Sequence, residues 1–185
     1  MSSAEFMELP AELQLQYTTP KHHFFNYVSR KIVNVSESIE AERKFILRFK
    51  EGDKVDQRHA SNMIRDFILR ENLNKEDVTF ICLPASTVSK QIIRYRKFMD
   101  NVCRRCHINN GYNLVSVTSD RSEVHTGGSR LIKNYLISPD VAGKKVILFD
   151  DVETTGISFA TFAAELERTG AQVIQGLFLA EAASL

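Results

Sequence analysis

VILFDDVETTGIS, residues 146–158, is the stretch on which the fold of this chain turns. Val146, Ile147, Leu148 and Phe149 form an unbroken apolar run after the polar turn Ala142-Gly143-Lys144-Lys145. A run that short and aliphatic, entered from a Gly-Lys turn, predicts a strand buried on both faces of a parallel sheet. The strand is expected to stop at two carboxylates, Asp150 and Asp151. The hydroxyl- and glycine-rich turn of residues 154–158 then opens into a segment with Phe159, Phe162, Ala163 and Leu166 at i, i+3, i+4 and i+7. That spacing predicts an amphipathic helix, with Gly170 where a residue just past a helix end belongs.

A strand, an acid pair, a turn and a helix in that order have a chemical consequence. Ligands of open parallel sheets bind beyond the carboxyl ends of the strands. A helix start there offers unpaired N–H groups and a partial positive charge, both suited to a phosphate. Gly156 lets backbone approach the anion, and Thr154, Thr155 and Ser158 add hydroxyl donors. Adjacent carboxylates are poor company for a bare phosphate but accept strong hydrogen bonds from hydroxyl groups. A phosphorylated sugar satisfies both halves of such a site.

The pattern of four apolar residues, Asp-Asp, then Thr-Thr-Gly-x-Ser resembles the phosphoribosyl-pyrophosphate (PRPP) motif of type I phosphoribosyltransferases. The resemblance implies that Asp150 and Asp151 hold the ribose hydroxyls and serve as the catalytic acids. It implies that Thr154, Thr155, Gly156, Ile157 and Ser158 wrap the 5′-phosphate. The activity implied is transfer of ribose 5-phosphate from PRPP to a nitrogen of a small-molecule acceptor, with release of pyrophosphate. Mg²⁺ would arrive on the oxygens of PRPP, helped by Asp150 and Asp151 rather than held by dedicated protein ligands. One position departs from the family: Glu153 stands where an aliphatic residue is usual. A third carboxylate there either helps to organise a metal or weakens binding of a polyanion.

Upstream, residues 78–83 (VTFICL) read as a second buried strand stopped by Pro84, followed by the small-residue turn Ala85-Ser86-Thr87 and another helix. Two phosphate-friendly turns would thus share one edge of the sheet. In type I phosphoribosyltransferases the loop at this place contacts pyrophosphate, which makes Ala85, Ser86, Thr87 and Lys90 candidates. At about 100° per residue, Val88, Ile92, Tyr95, Met99, Val102 and Cys106 fall on one helical stripe, with Lys90, Arg94, Lys97, Asn101 and Arg104 opposite. Between residues 90 and 105, Lys90, Arg94, Arg96, Lys97, Arg104 and Arg105 face a single acid, Asp100. Such a face is a solvated surface or a seat for a polyanion, nucleic acid included. Cys103-Arg104-Arg105-Cys106-His107 matches a haem-attachment pattern, but no second cysteine pair completes a zinc site, and Cys106 is expected to pack as a small apolar residue.

Residues 113–118 contain Leu114, Val115 and Val117, a third strand, and residues 132–137 a short one returning from a long polar loop. That loop, SDRSEVHTGGSR (119–130), reads as a lid whose glycines permit a hinge, with Arg121, His125, Arg130 and Lys133 reaching the pyrophosphate. A flexible loop lies at this point of the chain in type I phosphoribosyltransferases. A last strand is expected over residues 173–179. Further upstream, residues 56–71 carry a helical period, and Ile46-Leu47-Arg48-Phe49-Lys50 is expected to be a strand turning at Glu51-Gly52-Asp53. Phe24, Phe25, Tyr27 and Val28 suggest strand-like or capping structure, while residues 1–20 look like a loosely packed arm.

The element order predicts an α/β fold with a mainly parallel central sheet flanked by helices, Rossmann-like in three layers. Residues 1–45 would form an arm and a hood-like region, and residues 46–185 the core domain. The stretch Arg48-Phe49-Lys50-Glu51-Gly52-Asp53, the basic helix, and Arg130 with Asn134 ahead of the motif resemble the competence protein F (ComF)-like branch of the family. The four-cysteine zinc element common at the start of that branch is missing here.

Composition narrows the classes. A chain of 185 residues fits one domain with a well-formed core. A formal net charge of +1 argues against a nucleic-acid coat protein. No apolar run approaches the roughly 20 residues needed to cross a bilayer, so no membrane partner is expected. Acids near the N-terminus, and three cysteines rather than an even set, point to a reducing cytoplasm. The sequence leaves a homodimer open. It also leaves open a non-catalytic PRPP or nucleotide sensor.

Overall fold

The structure, a computed structural model, describes residues 6–118 and 134–182. Helix α1 (Ala11–Tyr17) leads into strand β1 (Lys21–Tyr27), and α2 (Glu37–Lys50) and α3 (Lys54–Arg70) precede β2 (Val78–Cys82). A helical stretch follows in three pieces: α4 (Val88–Gln91), a π-helical turn (Ile92–Arg96) and α5 (Lys97–Cys106). Then come β3 (Asn109–Asn110), β4 (Val115–Val117), β5 (Tyr135–Ile137), β6 (Lys145–Glu153), α6 (Ile157–Arg168) and β7 (Gln172–Ala182).

Five strands form one parallel sheet in the order β1-β7-β6-β2-β3. The α/β architecture expected from the sequence is the one observed, with β6 at its centre. Val146, Ile147, Leu148 and Phe149 are all fully buried, as a strand covered on both faces requires. They alternate between two cores. Ile147 and Phe149 pack with Ile64, Phe98 and other side chains of α2, α3 and α5, while Val146 and Leu148 pack with Phe159, Phe162 and Leu166 of α6. Phe149 sits among the rings of Phe49, Phe80, Phe98 and Tyr95, with centroids 5.0–6.5 Å away. Phe149→Ala is therefore expected to cost about 3–5 kcal/mol, read as a shifted denaturant midpoint with an unchanged slope.

Several local expectations are corrected. Residues 46–50 are not a strand but the last turns of α2, with Ile46 and Phe49 turned inward and Leu47 outward. Five residues are too few to separate a strand from a helix; the helix is set further upstream, where Ser36 accepts a bond from the N–H of Ile39. The arm is not loose over its described part, because α1 lies on α6 and the Gln16 amide donates to Glu167 at 2.7 Å. Residues 21–27 join the sheet as an edge strand along β7. Residues 115–117 leave the main sheet and pair antiparallel with β5, while β3 takes the place beside β2.

The basic helix departs most usefully from its expected stripe. Tyr95, Met99, Val102 and Cys106 are buried as expected, but Val88 and Ile92 are 41% and 46% exposed. The π-helical turn inserts an extra residue, which rotates everything ahead of it by about 100°. That rotation carries Arg94 from the outer face to the sheet edge. Among the described residues, no helix is long and apolar enough to cross a membrane.

Candidate functional site at the carboxyl edge of the sheet

Strand β6 does not stop at Asp150 but runs on to Glu153. Its partner β2 ends at Cys82, level with Phe149, and the Leu83 N–H closes that ladder on the Phe149 carbonyl at 2.8 Å. Residues 150–153 thus project past β2, between the loop of residues 85–87 on one side and β7 and β1 on the other. The two turns that the sequence singled out do lie at the same edge of the sheet.

The two adjacent acids have different surroundings. Asp151 is buried at 4% exposure, with Lys50 Nζ 3.0 Å from one carboxylate oxygen and Arg94 Nη1 3.0 Å from the other. Asp150 is half-buried and lines a small cleft with Val152, Glu153, Thr154, Gly156 and Ser158. Its Oδ1 accepts the Asp151 N–H at 2.8 Å and the Tyr95 hydroxyl at 3.4 Å. Burial, and then the charge of Asp151, push its pKa up to about 7, despite the opposing pull of that N–H, Lys50 and Arg94. One acid is clamped by cations and the other is poised to exchange a proton near neutrality.

Helix α6 begins at Gly156, whose φ of 75° is left-handed and free of strain only for glycine. A Cβ there would meet the Tyr17 ring at 2.8 Å and Glu153 Oε1 at 3.0 Å. Helices α2, α3 and α4 are capped by Ser36, Asp53 and Thr87, whereas α6 has no side-chain cap among the described residues. Its first N–H groups face the cleft edge, with Thr154, Thr155 and Ser158 exposed and Ile157 half-buried. The Thr155 carbonyl accepts from the Tyr17 hydroxyl at 3.1 Å.

The loop after β2 is more committed than its sequence suggests. The Ala85 N–H is buried and already donates to Gln91 at 2.9 Å, and the Thr87 hydroxyl caps α4 by accepting from the Lys90 N–H at 3.1 Å. The Asn134 amide, 1% exposed, donates to the carbonyls of Ala85 and Ser86 and fixes the loop from behind. Ser86 and Lys90, both half-buried, are its remaining candidates for an anion. Arg121, His125, Arg130 and Lys133 lie outside the described residues.

Sequence reasoning missed Lys50, Arg94, Tyr95, Lys21 and His23. Lys21 Nζ lies 2.8 Å from Glu153 Oε1, and His23 Nε2 lies 2.5 Å from Glu153 Oε2. Burial pushes the Glu153 carboxyl up, but hydrogen bonds from His23 and Lys21 outweigh it and hold the pKa below the ordinary value. The signal for Arg94 was hidden by the π-helical turn. The one for β1 was hidden because His22, His23 and Lys21 dilute its apolar pattern.

For a metal, the carboxylate that reaches the cleft is Asp150; Asp151 already has a cation on each oxygen. No group of three or more His, Cys, Asp or Glu that could hold a metal occurs among the described residues. Cys103 and Cys106 are buried and burial pushes their thiols up to about 12 and about 11, so they pack as apolar groups. On the outer face, Lys97, Asp100, Asn101 and Arg104 line an open groove that Arg94 does not share. No family model matches the chain, and no curated protein does.

Proposed function

We propose that this protein binds PRPP with Mg²⁺ at the carboxyl edge of β6 and transfers ribose 5-phosphate to a nitrogen acceptor, releasing pyrophosphate. The observation that carries the reading is the pairing of Asp150, on the wall of the cleft, with an α6 start that no side chain caps. An uncapped helix start accepts the 5′-phosphate, and a carboxylate one strand-end away accepts the ribose hydroxyls. The motif's resemblance to type I phosphoribosyltransferases supports the same assignment. Bound Mg²⁺ would neutralise charge on the departing pyrophosphate. Asp150 and Asp151 would stabilise the positive charge that develops at the anomeric carbon. Ser86 and Lys90 flank the side where pyrophosphate leaves. Free cysteines at positions 82, 103 and 106 suit a cytoplasmic setting.

Calorimetry with PRPP, with and without Mg²⁺, tests binding, and exchange of labelled pyrophosphate into PRPP across a panel of nitrogen bases tests transfer. Metal-dependent binding with exchange is the expected result; no binding under either condition ends the proposal. A non-catalytic PRPP or nucleotide sensor is the second reading, favoured by the carboxylate of Glu153 beside the phosphate turn. Binding without exchange would select it. The nucleic-acid face has lost Arg94 to Asp151, so that version of the sensor rests on Lys97 and Arg104.

A further inference from the structure

The cleft in front of α6 has a volume of about 40 Å³ and is bounded by Glu153 as well as by Asp150, Gly156 and Ser158. That is room for about three waters, against the four oxygens of a phosphate group and the sugar it carries. What narrows it is a carboxylate. Glu153 is 8% exposed, and its Oε1 lies 3.0 Å from the point where a Cβ on Gly156 would stand. Both of its oxygens are held from β1, by Lys21 at 2.8 Å and His23 at 2.5 Å, and the second ring nitrogen of His23 lies 3.9 Å from Glu181. Lys21 Nζ is itself 3.6 Å from that same Cβ point and 5.0 Å and 5.2 Å from the centres of the Tyr17 and Phe159 rings.

An anion, two basic groups and a glycine turn at a helix start are the parts of a phosphate site, except that the anion belongs to the protein. We infer that Glu153 is a built-in counter-anion that closes the phosphate turn, and that Lys21 and His23 become ligands of the incoming phosphate once Glu153 yields them. The inference rests on the phosphoribosyl reading and deepens it: the N-terminal strand supplies phosphate ligands that the motif itself lacks. A dianion competes for Lys21 and His23 better than a single carboxylate does, so the site discriminates phosphorylated from unphosphorylated ribose. Its resting affinity is lowered because Glu153 must be displaced and its charge left beside the phosphate.

The test is calorimetry of PRPP, ribose 5-phosphate, inorganic phosphate and ribose on the wild type, Glu153→Gln, Lys21→Met and the double variant, with thermal unfolding to confirm folding. Glu153→Gln is expected to bind the phosphorylated ligands roughly tenfold tighter or better. Lys21→Met should weaken them roughly tenfold in either background, and ribose should bind to none of the four. The double variant, which leaves no unpaired lysine, covers the case in which Glu153→Gln alone folds poorly: phosphate binding no weaker than in Glu153→Gln, or than in wild type where that variant fails, overturns the role of Lys21. If wild type binds PRPP and Glu153→Gln binds it no tighter, the counter-anion is wrong and the phosphoribosyl reading stands. If Glu153→Gln gains inorganic phosphate through Lys21 but no form binds PRPP, the gated anion site stands and the phosphoribosyl reading falls. If no form binds any phosphorylated ligand, both fall.

Discussion

Asp151→Asn is expected to lower the stability of the folded chain by about 2–4 kcal/mol. For a protein of this size that corresponds to a fall in melting temperature of roughly 5–15 °C. Replacing the carboxylate with an amide of the same shape creates no cavity. What it does is leave two cations facing a neutral group in a site only 4% exposed. Arg94 carries most of the effect, because its side chain is 16% exposed and its Nε finds no hydrogen-bond partner among the described residues. Lys50, at 36%, retains water and contributes less. The cause can be separated from the effect by a cycle: adding Arg94→Met to Asp151→Asn should recover more stability than adding Lys50→Met. If Asp151→Asn unfolds at the wild-type midpoint, the clamp is not what holds this edge together. The same substitution should also weaken PRPP, since Lys50 and Arg94 lose the anchor that keeps them beside Asp150.

That clamp shows where the sequence was legible and where it was not. Residues 146–149, the turn with Gly156 and helix α6 were readable because each is decided within a dozen residues. An apolar run, a glycine that must adopt positive φ and a 3.6-residue period are local properties. The environment of the acids was not, since Asp151 takes its partners from positions 50 and 94. Arg94 reaches Asp151 only because a π-helical turn interrupts the stripe, and no regular period contains that interruption. Glu153 was visible as an odd residue in a familiar pattern. Its reason lies 130 and 132 residues upstream, in a strand whose mixed Lys-His-His-Phe-Phe composition suits an edge and gives no clean alternation. Burial patterns are written locally in a chain, and charge partners are not.

Asp150→Asn is expected to do the reverse of Asp151→Asn and stabilise the protein above neutrality. The carboxyl of Asp150 is pushed up to about 7, first by burial and then by the charge of Asp151. An unfolded chain gives an aspartate its ordinary value near 4. Between about pH 4 and pH 7 the folded protein therefore holds a proton that the unfolded chain has released, so stability falls as pH rises through that window. By pH 8 the loss attributable to Asp150 is about 2–4 kcal/mol, and an amide, which never ionises, escapes it. His22, whose pKa is lowered by burial and by Arg70, works in the opposite sense, adding stability as pH rises. The difference between variant and wild type removes that contribution. It should be near zero at about pH 4 and grow steadily towards pH 8, measured by denaturant unfolding at each pH. The same variant should bind PRPP roughly tenfold more weakly, having lost the acceptor for the ribose hydroxyls. Greater stability with weaker binding is the mark of a carboxylate kept in an unfavourable place for its use. A flat difference across the pH range would mean that Asp150 ionises like any surface aspartate, and unchanged affinity would take it out of the site.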